Sequence, residues 1–535
     1  MAILIRDQAR VQQARSFYRD IYNDNDRYFL VASRTQTWTT DTSPDTSFDN
    51  RVDMSQFRRD ILFAKKVQNA DVAMLARRID WTTATVYDQY DDALTTSHTA
   101  SSGATTLSAA NFYVLTDEFN VYKCLSNNFG GQSTVKPTGT GTEVFETADK
   151  YKWKFLFQIG SSDRTKFLST EYLPVRKVSG AGEPDFDING EIDSVTISAG
   201  GTGYTSAPTV TIQGDGEGAV ATATVAAGQV TAITIVNGGF GYSFADVKLT
   251  GGGFTTIARA DAVLGSTETP TLQTNVESTA VSGTIDNILI TNVGQDYVNG
   301  DATIAIEGDG IGAAASLVIN SNGNVESVAI TNPGSGYTKA NVVISQVSGA
   351  GINAAFRLII SPFGGHGSNP QQELFARRVG ITVSFDNDTQ DLVTGNDYRQ
   401  VGLLKNIRPY GLTTLFNEAT GSAQYTIGTS SPTSYAPDDN ITTSSNGQFT
   451  VTQIRDANTD GTDDTVYLLP ITEAIGATDT LTNTTKDITG LTINTSTLTN
   501  PEIDVHSGEL LYYDNRKPIV RDEDQVETVK IIFSF

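Results

Sequence analysis

The sequence predicts a mainly β protein with a few short helices and a small all-β repeat module at its centre. Three observations carry that expectation. The 535 residues include 48 glycines beside many Thr and Ser, the composition of numerous short strands and turns. Apolar residues alternate on a two-residue period in several separate runs, which suits strands with one buried face. One short phrase is written four times between residues 190 and 360, as GGTGY, GGFGY, VGQDY and PGSGY, ending on Tyr204, Tyr242, Tyr297 and Tyr337.

The register of the repeat is constant. Aliphatic residues stand twelve, nine and seven positions before each tyrosine: Ile192, Val195 and Ile197; Val230, Ile233 and Ile235; Ile285, Ile288 and Ile290; Val325, Val328 and Ile330. Gly-x-Gly before an aromatic permits a tight turn with positive φ, and a second apolar run follows, such as Val210, Thr211 and Ile212. One unit therefore reads strand, turn, strand, in four related pieces. Tyrosine spacings of 38, 55 and 40 residues leave room for several strands per unit and exclude the nonapeptide repeat of calcium-binding β-rolls.

Ahead of the repeats, residues 6–23 place Val11, Ala14, Phe17, Tyr18 and Ile21 near a 3.6-residue period, an amphipathic helix. Residues 27–38 read as a strand, 39–50 as a loop, and 54–67 as a second helix with Phe57, Ile61, Leu62 and Ala64 on one face. Residues 71–92 set Trp81, Val86, Tyr87 and Tyr90 among acids and threonines, which suits extended chain. Residues 111–125 form a hairpin turning near 117–120, and 127–141 a long surface loop. Residues 151–159 form a well-buried strand with Tyr151, Trp153, Phe155 and Phe157 on one face.

After the repeats, residues 361–385 read as a rigid Gly/Pro loop, a short helix over 371–378 and a strand over 379–385. Residues 417–499 suggest isolated short strands. The chain closes with a strand over 510–513, a turn, and a final strand over 526–535.

The length allows roughly three domains. With 61 acidic against 37 basic residues, the net charge of −24 repels phosphate backbones and anionic membranes, so neither nucleic acid nor membrane is expected as a partner. Basic residues do gather early, as Arg58, Arg59, Lys65, Lys66, Arg77 and Arg78, at a spacing that reads as a solvated or subunit-facing helix surface. A single cysteine, Cys124, excludes an internal disulfide and multi-cysteine zinc sites. Residues 1–6 are too short for a signal peptide and no run approaches a membrane span, so assembly in a cytoplasm is expected.

No residue is assigned as catalytic, cofactor-binding or metal-ligating. The three histidines, His98, His366 and His506, lie in no metal or nucleophile pattern, and His366, in GGHGSNP, reads as a structural loop residue. The acidic clusters Asp88, Asp91 and Asp92, and Asp522, Glu523 and Asp524, fall beside turn residues and read as solvated turns or ion-pair partners. DANTDGTDD at 456–464 opens like a calcium loop, with Asp456, Asn458, Asp460 and Gly461, but Tyr467 stands where an EF-hand needs glutamate; a hairpin turn is expected, with a weak cation site as the alternative. GDGEG at 214–218 and GDGIG at 308–312 lack the Lys-Ser/Thr of a phosphate loop. The repeat tyrosines could stack on sugars if exposed; their fixed register favours packing under their own turns.

Three sets of phrases outside the repeats carry a resemblance. They are DVAMLARRIDWTTATVYDQYDD with YKWKFLFQIGSSDRTKFLSTEYLPV, SPFGGHGSNPQQEL with NDYRQVGLL, and SGELLYYDNRKPIVRDEDQVETVKIIFSF. In this order they resemble the baseplate wedge subunit, of the gene-product-eight type, of T-even-like contractile-tailed bacteriophages. The resemblance covers about two thirds of the chain, within 1–180 and 361–535. It implies a virion structural protein without catalytic activity, made of β-sandwich domains with a few short helices, forming a homodimer and joining other wedge proteins around the tail hub. On this reading 1–180 and 361–535 are two parts of one wedge fold, and 181–360 is an inserted module. That module would serve extra contacts or external decoration, with a glycan-binding, adhesin-like role as the alternative.

Overall fold

In the computed structural model the described residues are 6–22, 26–178, 191–214, 216–240, 242, 244–265, 271–348, 351–385, 392, 394–429, 431–455, 464–472, 475–476, 478–492, 497–522 and 525–535. The chain is mainly β, with antiparallel sheets and few short helices.

The first part contains α1 (Asp7–Tyr22), β1 (Tyr28–Ser33), α2 (Arg51–Arg59), β2 (Ile61–Lys66), β3 (Val72–Arg77), β4 (Tyr113–Leu115), β5 (Asn120–Asn127), β6 (Phe145–Glu146), β7 (Tyr151–Gln158), α3 (Ser161–Lys166) and β8 (Tyr172–Val175). The repeats supply β9 (Glu191–Ala199), β10 (Thr209–Gly214), β11 (Glu217–Ala226), β12 (Gln229–Phe240), β13 (Ala245–Thr250) and β14 (Arg259–Gly265), then α4 (Thr271–Thr279). A second set follows: β15 (Ile285–Gln295), β16 (Thr303–Gly308), β17 (Ile311–Ile319), β18 (Val325–Ser335), β19 (Ala340–Ser345) and β20 (Ile352–Ile360). The last part holds α5 (Pro370–Glu373), β21 (Arg378–Phe385), β22 (Asp397–Lys405), β23 (Arg408–Pro409), β24 (Thr420–Ser422), β25 (Tyr425–Thr429), β26 (Asn440–Thr443), β27 (Gln448–Arg455), β28 (Asp464–Pro470), β29 (Thr480–Asn483), β30 (Ile488–Thr492), β31 (Ile503–Asp504), β32 (Glu509–Val520) and β33 (Glu527–Ser534).

The segments on either side of the repeats share two sheets, ordered β24-β2-β1-β22-β32 and β33-β21-β3-β8. The largest core lies among them: Leu30, Ala32, Phe63, Met74, Val379, Ile381, Val401 and Leu403 meet the Val11, Ala14, Tyr18 and Ile21 stripe of α1. A second core covers the other face of β1 and β2, where Phe29, Val31, Ile61 and Ala64 meet Phe57, Phe416 and Tyr513.

Burial on both faces explains where the expectation of a helix over 54–67 fails. Asn50 caps α2 by accepting from the Asp53 amide at 2.9 Å, only Phe57 of the helix is buried, and the helix ends at Asp60. Ile61, Leu62 and Ala64 then lie in β2, whose first five residues are all buried. A continuous apolar run of that length fits a doubly covered strand. The early basic residues accordingly share no helix face: Arg58 and Arg59 are on α2, Lys65 and Lys66 on β2, and Arg77 ends β3.

Other expectations shift for local reasons. Phe157 leaves the face of Trp153 because the β5–β7 register slips between Val121 and Tyr122, which sends Leu156 and Phe157 into the largest core. The strands over 417–499 are not isolated: β25, β28, β27, β26, β29 and β30 form one sheet over the Ile441, Phe449, Val451 and Leu468 core. The turn expected after residue 513 is absent because β32 runs on to Val520. Its register with β22 shifts between Tyr398 and Gln400, which accommodates Pro518 on an edge strand. The helix expected over 371–378 is the single turn α5.

The four repeats combine in pairs. In each set of six strands the first pairs with the sixth, the second with the fifth and the third with the fourth: β9 with β14, β10 with β13, β11 with β12, and likewise β15 with β20, β16 with β19, β17 with β18. A tyrosine-phrase strand and the strand after it are therefore not hairpin partners; each pairs with the other half of its unit. Two three-stranded halves interlock, and within a half the only strand pairing among the described residues is the single bridge of β13 to β14 at Asp246 and Asp261.

Candidate functional site

The most chemically dense place in the molecule is where the second repeat unit meets the flanking fold. Lys123 lies on β5 at the same parity as Val121 and Leu125, so the pleat turns its ammonium inward, and the residue is 0% exposed. Its Nζ donates to Glu373 Oε2 at 2.8 Å and stands 4.0 Å above the Tyr90 ring. Glu373 is presented by α5, which Asn369 caps by accepting from the Gln372 amide. The Glu373 carboxylate also accepts from the Gly367 amide at 2.9 Å and the Asn369 amide at 3.1 Å, tying the GGHG loop to the helix that follows it.

His366 completes the group. Its Nε2 is 2.6 Å from Asp286 Oδ2 on β15, its Nδ1 is 4.0 Å from Glu373, and Tyr90 packs edge-on at 4.9 Å. Burial drives the imidazole below its ordinary pKa, against the pull of Asp286, with Lys123 reinforcing the shift. Burial alone would raise Glu373, but Lys123 and His366 hold its carboxyl below the usual range. His366 lies in the loop expected from sequence, buried with its imidazole against the Asp286 carboxylate, and the ion cluster joins the flanking segments and the repeats at one point.

Beside it lies a cavity of about 210 Å³ lined by Gln89, Asp91, His98, Phe129, Asn287 and Arg357 among others. Arg357, on β20, forks onto both oxygens of Asp91, and His98 Nε2 is 3.0 Å from Asp91 Oδ2. Burial opposes ionisation of Asp91, yet Arg357 and His98 hold its pKa below the ordinary value. Asp88 is fully buried and accepts from the amides of Ser102 and Asn111 and from the Ser102 hydroxyl. Asp88 and Asp91 are thus structural acceptors, while Asp92 is exposed. The solvated-turn alternative therefore fits only Asp92 of this cluster.

His506 is on the surface, and its amide donates to Asp504. Residues 456–463, and Glu523 with Asp524, lie outside the described residues. Among the described residues no group of three or more His, Cys, Asp or Glu side chains is placed to hold a metal ion.

The repeat tyrosines are buried, with exposures of 5%, 3%, 9% and 5% for Tyr204, Tyr242, Tyr297 and Tyr337. The hydroxyls of Tyr204, Tyr242 and Tyr337 accept from the amides of Ala258, Ala219 and Ala313, each on the closing segment of the partner half. The rings lie on glycines: a Cβ at Gly216 or Gly310 would come 2.4 Å from Cγ of Tyr242 or Tyr337. That contact explains the GDGEG and GDGIG phrases, which make room for a ring.

Sequence reasoning missed Lys123, Asp286, Arg357 and Glu373, which are brought together from positions up to 250 residues apart. The readable signal was Lys123, a lysine on the apolar parity of a strand.

No protein-family model matches this chain, and no curated protein does.

Proposed function

We propose that the chain is a structural virion protein, a baseplate wedge component of a contractile phage tail, which assembles through protein–protein contacts and has no catalytic role. The observation that supports this most is that the phrases carrying the resemblance occupy one body. DVAMLAR forms β3, YKWKFLFQ β7, EYLPV β8, NDYRQVGLL β22, and the closing phrase β32 and β33; β8 pairs with β3, β3 and β33 both pair with β21, β22 pairs with β32, and β7 sends Leu156 and Phe157 into the core among these sheets. The GGHG loop closes the buried ion cluster that joins this body to the repeats.

The charged groups of that cluster are spent on one another, as in a clamp, which favours an architectural role over turnover. Partners on this reading are a second copy and neighbouring wedge and hub proteins, with large, aromatic-rich contacts supplying the affinity. The glycan-binding alternative loses the aromatics that motivated it, because the repeat tyrosines are packed inside.

Co-expression with the neighbouring tail proteins, followed by size-exclusion chromatography and cryo-EM of the intact tail, tests the proposal. A stable complex, and density for this chain in the baseplate, is the expected outcome. A chain that stays monomeric and associates with none of them overturns it.

A further inference from the structure

We propose that a cleft at one end of the sheet β33-β21-β3-β8 is a docking site for an acidic segment of a partner protein. Two copies of the tripeptide Ala-Arg-Arg create it, at Arg77 and Arg78 and at Arg377 and Arg378. Antiparallel pairing of β3 with β21 sets Arg378 opposite Leu75, so the end of one strand and the start of the other bring all four guanidinium groups to one place. They line a cavity of about 330 Å³ with Tyr113, Tyr172 and Phe375.

The four arginines are not equivalent. Arg78 is paired with Asp80 at 2.8 Å and Arg377 with Asp7 at 2.6 Å. Arg77 uses Nη2 on the carbonyls of Ala109 and Ala110 and on Asn111, with no carboxylate on it. Arg378 has its guanidinium 4.7 Å over the Tyr172 ring, and its Nε is buried without a hydrogen-bond partner. Arg77 and Tyr172 are themselves cross-strand partners, so the two arginines free of carboxylates flank one aromatic. Glu171 also lines the cleft; it is exposed.

Two uncompensated guanidiniums on an aromatic floor fit one carboxylate beside an apolar side chain. The cavity has the size of one or two side chains, and a chain of net charge −24 repels a long polyanion, so a short acidic peptide segment fits where nucleic acid does not. This inference rests on the cleft alone and stands whether or not the chain is a tail component.

The test is fluorescence anisotropy with the full chain and a labelled Ser-Asp-Phe-Glu-Ser peptide. Its neutral Ser-Asn-Phe-Gln-Ser counterpart, orthophosphate and a short oligothymidylate serve as the other arms. The expected result is saturable binding of the acidic peptide, weakened by salt and reduced about tenfold or more in Arg378→Gln, with Arg408→Gln, outside the cleft, unchanged. If circular dichroism shows Arg378→Gln misfolded, Arg77→Gln, altered at an exposed side chain, carries the comparison. Failure of the acidic peptide to bind, equal binding of the neutral one, tighter binding of orthophosphate or oligothymidylate, or binding unchanged in a folded cleft variant each overturns the proposal.

Discussion

At the scale of single residues, the molecule places its polar groups where removing one strands another. Lys123→Met leaves Glu373 buried without its cation, and the loss is expected to be about 3–5 kcal/mol, because an unpaired charge in the interior costs more than the intact pair contributes. Urea unfolding checks it, and Lys123→Met combined with Glu373→Gln is expected to recover part of the loss by removing the orphaned charge. His366 gives a pH signature. Its pKa is lowered in the fold by burial, so below the ordinary value of 6.5 the unfolded chain takes up a proton that the folded chain does not. Stability is therefore complete above that pH and falls as the pH drops below it. His366→Asn is expected to flatten this part of a urea-unfolding series between pH 7 and 5, and an unchanged slope would mean His366 does not titrate as argued.

At the scale of elements, the repeat units depend on the fit of a ring onto glycine. Gly310→Ala sets a Cβ 2.4 Å from Tyr337 Cγ and 2.6 Å from the Ser335 carbonyl, so the second unit is expected to lose about 1–3 kcal/mol, read as faster hydrogen exchange across β15 to β20. The first unit carries a charge conflict of the opposite pH sense. Asp246 and Asp261 are cross-strand partners, and burial together with Asp246 and Glu418 pushes Asp261 up to about 6, while Lys65 of β2 opposes the shift. An acid raised in the fold favours the protonated state, so its stabilisation is present at low pH and lost as the pH rises through about 6. Asp261→Asn is expected to slow exchange in β13 and β14 at pH 7, by an upper bound of about 3 kcal/mol, with little effect at pH 4. How far the elements were legible follows the same physics. The helix α1, the hairpin of β4 and β5, and all four tyrosine-phrase strands were readable because each shows a period along its own sequence. The strand β2 was not, since burial on both faces erases alternation, and its partners β1 and β24 lie outside any window of local pattern. The interlocked pairing of the repeats was equally hidden: periodicity reveals a strand but carries no information about which strand accepts its hydrogen bonds. Nor could the ion cluster be read, because Lys123 and Glu373 meet only once the sheets have assembled.

At the scale of the whole molecule, the two repeat units are attached in different ways, and this predicts different consequences of removing them. The first unit keeps its core to itself: the cluster around Ile192, Tyr204, Val230 and Tyr242 contains only its own residues. Among the described residues its bonds to the flanking fold include two ion pairs, Asp246 with Lys65 and Arg259 with Glu502. The second unit is built into the main body. Ile359 belongs to the largest core, Leu289 packs against it, Asp286 holds His366, and Arg357 holds Asp91. Between the units, α4 rests on β7 through Val276, while Gln273 donates to the Arg176 carbonyl and Glu277 accepts from the Val178 amide. Deleting residues 191–265, with α4 retained, therefore removes an independent core and takes the partners from Lys65 and Glu502. The shortened chain is expected to stay folded and keep the unfolding transition of the flanking sheets within a few degrees, since the buried Lys65 keeps the Ser384 carbonyl as an acceptor and gains water on the side that Asp246 leaves, while a partly exposed pair such as Arg259 with Glu502 contributes only about 0–1 kcal/mol. Deleting residues 285–360 instead opens the main core at Ile359 and strands His366 and Asp91 without their partners, so that chain is expected to aggregate or unfold at a markedly lower temperature. Differential scanning calorimetry and size-exclusion chromatography of the two deletions decide the matter. Equal tolerance of both would mean that the second unit is mounted on the flanking fold as loosely as the first.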